Sequence, residues 1–325
     1  MATLIPVSQR RDVADISDRL DLAAGDRQAK TSAFWTMLTL SGVIAVCGIA
    51  TDSTATVIGA MIVAPLSTPI LGLGLGIVTG RLALVRGSAV TILGGVAVVV
   101  VMGVLIAQIL PNPAGVLSNS QVLGRTSPAI ADLLAALATG LVGAIAITRR
   151  DVADVLPGVA IAISLVPPLG VVGVCLGSGA YSLAVGALVL FASNVLAMVV
   201  TGVLVFSLAG YRSAGEGRAG VWRGRRIQLV FACALLVIAV PMTINSLNTL
   251  WSRQIADAAD SWLQAHGVSG QVTGVTLTAN SATVRLTGPE QLPPVDELQR
   301  SVDALVPWEP RLVVDYTVGG RKEAG

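Results

Sequence analysis

Seven apolar runs of at least 18 residues dominate this chain and restrict it to a membrane fold. A helix needs about 20 apolar residues to cross the hydrocarbon core of a bilayer. The whole chain is 54% hydrophobic and only 12% charged, which is more apolar than a soluble domain of this length can bury. We therefore predict an all-α polytopic membrane bundle of about seven transmembrane helices, with the lipid bilayer as its partner. The runs cover residues 33–50, 54–79, 88–110, 128–148, 155–176, 181–209 and 227–250.

Basic residues alternate between the links that join these runs. The N-terminal 30 residues and the links after the second, fourth and sixth runs are rich in arginine, whereas the other links contain only Arg125. Cytoplasmic links of membrane proteins carry an excess of basic residues. The pattern therefore predicts a cytoplasmic N-terminus and an extracytoplasmic tail after the seventh run. The basic links contain Arg81, Arg86, Arg149, Arg150, Arg212, Arg218, Arg223, Arg225 and Arg226.

Two of the runs contain a proline pair and begin near an aspartate. At an offset of 102 residues, Asp52 aligns with Asp154 and Pro65 aligns with Pro167. Pro69 and Pro168 complete the two pairs. A proline inside a membrane helix removes a backbone donor, and neighbouring groups must then satisfy the freed carbonyl. The alignment predicts two helices that are broken at matching points.

The matched breaks divide the apolar runs into two units of three. Residues 33–110 form the first unit, residues 128–209 form the second, and residues 227–250 add one further span. An odd number of crossings inverts the second unit relative to the first. Secondary transporters commonly contain such inverted repeats, and their binding sites lie at the broken helices. We therefore predict a 3+3 inverted repeat in a transmembrane domain of residues 31–250.

The broken helices are the main candidate solute or ion site. Hydroxyl groups lie beside both proline pairs, since Ser67 and Thr68 separate Pro65 from Pro69, and Ser164 precedes Pro167 and Pro168. Half-helix ends carry partial charges that hold ions or polar groups. The alternative is that each proline only kinks its helix, with a nearby hydroxyl satisfying the freed carbonyl. The residues themselves leave both interpretations open.

Four further polar residues near the runs are candidates. Asn194 lies inside the sixth run, where it either bonds a broken helix or lines a polar path. The acids Asp52, Asp132 and Asp154 lie at or just inside run ends and are candidate gating or ion-pair groups. For each acid the alternative is a helix cap or, for Asp154, an ion pair at the membrane interface.

Residues 1–30 are predicted to form a cytoplasmic amphipathic segment. Val13, Ile16 and Leu20 share one face of a helix, which would lie on the membrane surface or a partner, or remain mostly solvated. Small residues such as Gly72, Gly76 and Gly140 recur on helix faces and predict close helix packing. Together with the large apolar surface, these faces favour a homo-oligomer.

Residues 251–325 are predicted to form a separate α+β domain. Apolar spacing indicates helices at 252–266 and 295–305, and alternating residues indicate strands at 272–277, 282–286 and 312–318. The resulting order is αββαβ in about 70 residues, a size that is marginal for independent stability. The same element order occurs in small periplasmic ring-forming and phospholipid-binding modules.

Enzyme activity, cofactors and a metal site are not expected. His266 is the single histidine, which excludes histidine-based metal clusters and disfavours acyl-transfer triads. The three cysteines lie singly inside apolar runs, without the spacing of a metal or redox motif. The near-neutral charge balance argues against a nucleic-acid partner.

Several motifs resemble the bacterial family known as domain of unknown function 389. They are Gly59-Ala60-Met61 with Pro65 and Pro69, then Ile161-Ala162 with Leu165-Val166-Pro167-Pro168-Leu169, and Leu190-Phe191 with Asn194. The αββαβ tail is similar to that of actinobacterial members. The resemblance implies a multi-pass protein of the bacterial plasma membrane and supplies no substrate.

Two functions from different classes fit these observations. The first is a transporter or channel for an ion or small solute, which uses the paired proline-broken helices at the membrane midplane. The second is a non-transporting assembly or envelope-sensing component, whose outer α+β domain oligomerises or binds partners. The matched prolines favour the first function, and the folded tail favours the second.

Overall fold

The computed structural model describes residues 5–109, 113–152, 165–211, 218–268, 270–277, 281–288 and 292–318. The chain divides into two compact units, Met1–Met242 and Thr243–Gly325. Each unit has its own buried apolar core. Asp154 and Ser164 of the predicted site lie outside the described residues.

The described secondary structure of the first unit is helical, apart from an isolated β-bridge between Arg10 and Arg149. Its helices are α1 (Val13–Leu20), α2 (Arg27–Ala50), α3 (Thr54–Val63), α4 (Ser67–Thr79), α5 (Leu82–Ile109), α6 (Pro113–Leu117), α7 (Ser120–Thr126), α8 (Ile130–Thr148), α9 (Val166–Gly177), α10 (Tyr181–Leu208) and α11 (Arg218–Ala265). The last of these continues into the second unit.

Five described helices are long and apolar enough to cross a membrane. They are α2, α5, α8, α10 and the part of α11 from Leu235 to Ala265, and the bent pair α3 and α4 makes a sixth if it is counted as one span. The predicted run 155–176 is represented by α9, which has 12 residues. Seven spans and the 3+3 repeat therefore stay predictions.

The N-terminal segment joins the ends of two membrane-length helices. The backbone N–H of Arg11 donates to the carbonyl of Thr148 at 2.9 Å, at the end of α8. The Arg10 guanidinium donates to the Ala209 carbonyl at 2.5 Å, just after α10. The hydroxyl of Tyr211 donates in turn to the Arg11 carbonyl at 2.8 Å. Burial raises the pKa of Tyr211 to about 12, so this hydroxyl stays a donor at neutral pH.

The α4–α5 link lies at the same end of the unit. Arg81 in that link donates to the Ser17 hydroxyl of α1 and forms an ion pair with Asp21 at 3.6 Å. Three links that the charge pattern assigned to one side of the membrane thus meet the N-terminal segment at one end of the bundle.

The predicted amphipathic helix is present as α1, and its apolar face packs against the protein itself. Ile16 and Leu20 are 0% and 1% exposed and belong to the main core. The Leu20 carbonyl would lie 2.9 Å from a Cβ added at Gly72 of α4, so this glycine permits the close approach. The membrane surface, a partner and solvent are therefore excluded as the environment of this face.

Small residues bring the long helices together as predicted. A Cβ at Gly140 of α8 would lie 3.0 Å from the Cα of Met198 in α10. A further close crossing was not predicted: Gly103 of α5 meets Gly173 of α9, where an added Cβ would lie 2.8 Å from the opposing Cα. Such contacts supply van der Waals packing where lipid offers no hydrophobic drive.

The second unit has the predicted αββαβ order. Strands β1 (Gln271–Leu277) and β2 (Ser281–Gly288) are antiparallel, helix α12 covers Val295–Leu305, and β3 (Arg311–Val318) pairs parallel with β2. A parallel pair requires a crossover connection, which α12 supplies. The core of the unit includes Trp262, Val284 and Leu298.

The predicted span 227–250 and the predicted helix 252–266 are one helix, α11. The tail is therefore not preceded by a break at residue 251. Residues 243–265 contain no glycine or proline to end the helix, and Gly267, with a φ of +64°, follows its end. The domain boundary at residue 251 that the sequence predicts stays a prediction. The structure itself divides the chain into two compact units after Met242.

Candidate functional site

The first proline pair separates α3 from α4, whose axes differ by 46°. Ala64 is extended, with φ −68° and ψ 122°, as the residue before a proline prefers. Pro65 lies between the helices, and Pro69 is the third residue of α4. An N–H group at this position would have no intrahelical partner, so its absence from proline costs the helix no hydrogen bond. Ser67 and Thr68 are half-buried in the same first turn.

A buried hydroxyl group of α2 satisfies a backbone carbonyl at this break. Helix α3 ends at Val63, so the carbonyls of its last turn lack intrahelical partners. The hydroxyl of Ser41, which is 0% exposed, donates to one of them, the Ala60 carbonyl, at 2.9 Å. The sequence pattern placed hydroxyls next to the prolines and missed this partner, which lies 19 residues away.

The second proline pair begins a helix in the described part of the chain. Pro167 and Pro168 follow Val166 in the first turn of α9, and both are buried. Prolines are well tolerated in a first turn, because the N–H groups there have no intrahelical partner. The preceding residues 153–164, which include Asp154 and Ser164, lie outside the described residues.

Pro168 lines a polar cavity of about 270 Å³. Asn194 of α10, Asp132 of α8 and Arg125 of α7 contribute the polar groups of its wall. Met61 and Leu190 supply buried apolar surface, and the exposed Gly124 and Ala135 lie where the cavity reaches the surface. The cavity therefore unites three predicted site residues, Asp132, Pro168 and Asn194, with one residue that was not predicted.

Arg125 is the unpredicted charged residue, and its side chain is half-buried. Desolvation lowers the pKa of its guanidinium, and the Asp132 carboxylate partly counters this effect. The guanidinium donates to the carbonyl and the side-chain oxygen of Gln121 at 2.8 and 3.0 Å. Arg125 remains ionised under all ordinary conditions, so it brings a positive charge to the cavity.

Asp132 both caps a helix and faces the cavity. Its Oδ2 accepts a bond of 2.8 Å from the Ala129 N–H, at the start of α8. Asn194 is only 3% exposed, and its amide lies on the cavity wall beside the start of α9. Guanidinium, carboxylate and amide groups in one cavity can bind the charged or hydrogen-bonding parts of a small solute.

Asp52 does not line the polar cavity, and its carboxylate instead bonds to the start of another helix. It has a left-handed φ of +51°, and its Oδ1 accepts bonds from the Ser120 hydroxyl at 2.7 Å and the Gln121 N–H at 3.2 Å. The bond from the Ser120 side chain is the main cause of a lowered Asp52 pKa. Asp52 therefore ties the α2–α3 connection to the start of α7, the helix that carries Arg125.

The structure separates the two proline pairs. Pro168 lines the polar cavity with Asn194 and Asp132, whereas Pro69 lines a second cavity between the starts of α2 and α5. Pro65, Ser67 and Thr68 do not line either of these two cavities, among the residues that the structure describes. One sequence signal could have identified Arg125: it is the only basic residue in the links after the first, third and fifth apolar runs.

Several long apolar helices around a polar cavity indicate a polytopic membrane protein. Residues 61–200 match the family model named Domain of unknown function (DUF389), which confirms the resemblance seen in the motifs. The matched stretch contains every described residue that lines the polar cavity.

One relative matches about half of this chain. An uncharacterized protein of Methanocaldococcus jannaschii is 32% identical over 174 residues, which are 54% of this chain and 53% of that protein. The chain thus spans about half the length of this relative. No solved structure matches the chain.

Proposed function

We propose that this protein is a membrane transporter or channel for an ion or small polar solute. The observation that carries the proposal is the cavity bounded by Arg125, Asp132 and Asn194 beside the start of α9. Its volume of about 270 Å³ is slightly below the range of about 300–1,000 Å³ that is typical of small-molecule pockets. A cavity of this size suits an ion with its water, or a solute of few atoms.

The charged groups that line the cavity indicate which charges its solute would carry. Partial positive charge at the start of α9 adds to the guanidinium charge of Arg125, and Asp132 supplies one negative charge. Half-helix starts that face a substrate are typical of broken-helix transporters. The arrangement favours a solute with an anionic group, either alone or together with a cationic group.

The inverted repeat supports this function as part of the same proposal. Helices α4 and α9 have 13 and 12 residues, and each has proline in its first turn. At the offset of 102, Ala64 aligns with Val166, so the two half-helices begin within three residues of equivalent positions. On this proposal α9 is the second half of a broken fifth span.

We further propose that the N-terminus is cytoplasmic and that residues 251–325 are extracytoplasmic in a bacterial plasma membrane. The N-terminal segment and three arginine-rich links share one end of the bundle. The positive-inside rule assigns that end to the cytoplasm. Accessibility of single cysteines at positions 8 and 318 in intact cells tests this orientation.

Reconstituted protein tests the transport proposal. Proteoliposomes are assayed for flux of a panel of small anions, zwitterions and cations, with wild-type, Arg125→Gln, Asp132→Asn and Asn194→Ala protein. Thr139→Ala on α8 and Ser193→Ala beside Asn194 serve as matched controls, because each hydroxyl bonds a carbonyl of its own helix. We expect flux in wild type and both controls, and a loss of about tenfold or more in the cavity variants. No flux across the panel, or equal flux in all variants, would contradict the proposal.

A second candidate function rests on the edge of the sheet. Strand β3 pairs only with β2 in the described sheet, and Val313, Tyr316 and Val318 are 41%, 48% and 54% exposed. An exposed apolar edge strand is a template for pairing with a second chain. We propose that this edge joins copies of the protein in a homo-oligomer. Thr317→Pro should then reduce the oligomer mass measured by light scattering, and an unchanged mass would exclude this edge.

A further inference from the structure

The second cavity, of about 420 Å³, lies where α1, α2 and α5 meet. Arg27 is the first residue of α2, and Arg86 lies in the second turn of α5. Both side chains line the cavity and are exposed. Helix starts carry partial positive charge, so a cation near them is unfavourable without a compensating anion.

The charge of this cavity is not balanced within the described chain. Neither Arg27 nor Arg86 has an ion-pair or hydrogen-bond partner for its guanidinium among the residues that the structure describes. Asp21 also lines the cavity, but its carboxylate pairs with Arg81 at 3.6 Å. The Asp26 carboxylate already caps the start of α2 by accepting from the Ala29 N–H at 3.0 Å, so the two guanidinium groups are what attract an anionic group at this point.

The cavity changes from polar to apolar along the helices. On α2 it is lined successively by Arg27, Thr31 and Trp35, and on α5 by Arg86 and then by Val90 and Thr91, whose hydroxyl donates to a carbonyl of its own helix. These spacings of four residues follow one helix face. Val90 and, one turn further, Leu93 are 69% and 68% exposed on a helix long enough to cross a membrane. A ligand that fills the cavity would therefore need an anionic head and an apolar continuation.

We propose that this cavity binds the phosphate of an anionic membrane phospholipid, with an acyl chain beside Val90 and Leu93. Arginine pairs with phosphate through two parallel hydrogen bonds, and basic pockets between membrane helices bind anionic headgroups. The inference rests on the proposed membrane location of α2 and α5 and is independent of transport. Because Pro69 lines the same cavity, the bound lipid contacts the first proline break.

Native mass spectrometry of the full chain in neutral detergent tests the site. Phosphatidylglycerol and phosphatidylcholine are compared as ligands, with glycerol phosphate as a phosphate that lacks acyl chains. The charge variant is the double substitution Arg27→Gln and Arg86→Gln, and its control is Arg285→Gln, an exposed arginine on β2. A second variant, Gly87→Leu, keeps both charges and fills the cavity, where an added Cβ meets no atom within 4 Å.

The wild type and Arg285→Gln should retain phosphatidylglycerol in preference to phosphatidylcholine. Removing two arginines near the headgroup should weaken phosphatidylglycerol binding by about tenfold or more, and Gly87→Leu should weaken both lipids. Equal retention by all four proteins would overturn the proposal. Binding of glycerol phosphate as tight as that of phosphatidylglycerol would overturn the assignment to a lipid. Either result leaves the flux test of Arg125 and Asp132 unaffected.

Discussion

The two proline pairs have the same sequence signature and different surroundings. At the first pair, Pro65 lies between two helices, Pro69 lies in the first turn of the second helix, and the Ser41 hydroxyl satisfies a carbonyl at the break. At the second pair, Pro168 lies on the wall of a cavity that also contains a guanidinium, a carboxylate and an amide. Prolines locate a break in a helix, and the partner helices determine which groups surround that break.

Matching residues therefore need not share a role. A buried serine from α2 lies at the first break, whereas Asn194 of α10 lies at the second. The first break faces a cavity that ends in exposed apolar residues, and the second faces a polar cavity.

The largest expected effect concerns the packing that holds α9. Gly173→Leu forces a side chain into the contact with Gly103, where the two backbones leave no space. Overpacking of this kind costs about 1–3 kcal/mol or more, so we expect a lower melting temperature and poor yield in detergent. Gly59→Leu is the matched control, because an added Cβ at Gly59 meets no atom within 4 Å. Equal melting temperatures for the two variants would contradict the close crossing.

The next effect compares two buried serines. Ser41→Ala leaves the Ala60 carbonyl at the first break without its hydroxyl partner, at a cost of about 1 kcal/mol. Ser193→Ala should cost less, because its hydroxyl bonds the Leu190 carbonyl within a continuous helix. Thermal unfolding followed by tryptophan fluorescence measures both. A larger loss for Ser193→Ala would show that the first break does not depend on Ser41.

The smallest effect is the pH dependence contributed by Asp52. Hydrogen bonds, mainly from the Ser120 side chain, lower the folded pKa of Asp52 below its ordinary value of 3.8. Its stabilising contribution is therefore complete well above pH 3.8 and is lost as the pH falls through the lower folded pKa.

Melting temperatures of the wild type and Asp52→Asn should accordingly differ by a constant amount between neutral pH and about pH 5. The difference should shrink only under more acidic conditions. Asp257→Asn, in the exposed part of α11, is the control for a general charge effect. A difference that appears only near neutral pH would assign the titration to another group.

The sequence predicted the individual helices and strands better than it predicted which of them pack together. Spacing of apolar residues located α1, β1, β2, α12 and β3, because burial of one face sets the period of each element. The same spacing predicts two helices where α11 is one, because the change from apolar to polar composition near residue 251 resembles a helix end. Composition and backbone continuity are separate properties, and no helix-ending residue lies there.

The candidate site was predicted only in part for a similar reason. Asp132, Pro168 and Asn194 were identified singly, from the cost of polar groups and prolines in apolar runs. Their meeting in one cavity with Arg125 depends on how α7, α8, α9 and α10 pack, which residue spacing within a single run does not determine. Ser41 was missed because serine inside an apolar helix most often bonds its own backbone.

Cysteine reactivity tests the contrast between the two breaks most directly. In a protein in which Cys47, Cys175 and Cys233 are replaced by serine, single cysteines at positions 194 and 41 are treated with a small charged thiol reagent in proteoliposomes. We predict that Asn194→Cys reacts at least about tenfold faster than Ser41→Cys, because a thiol reacts as its thiolate and needs access to water. Equal rates, or faster reaction at position 41, would contradict the claim that Asn194 lines a water-accessible cavity while Ser41 is packed inside the protein.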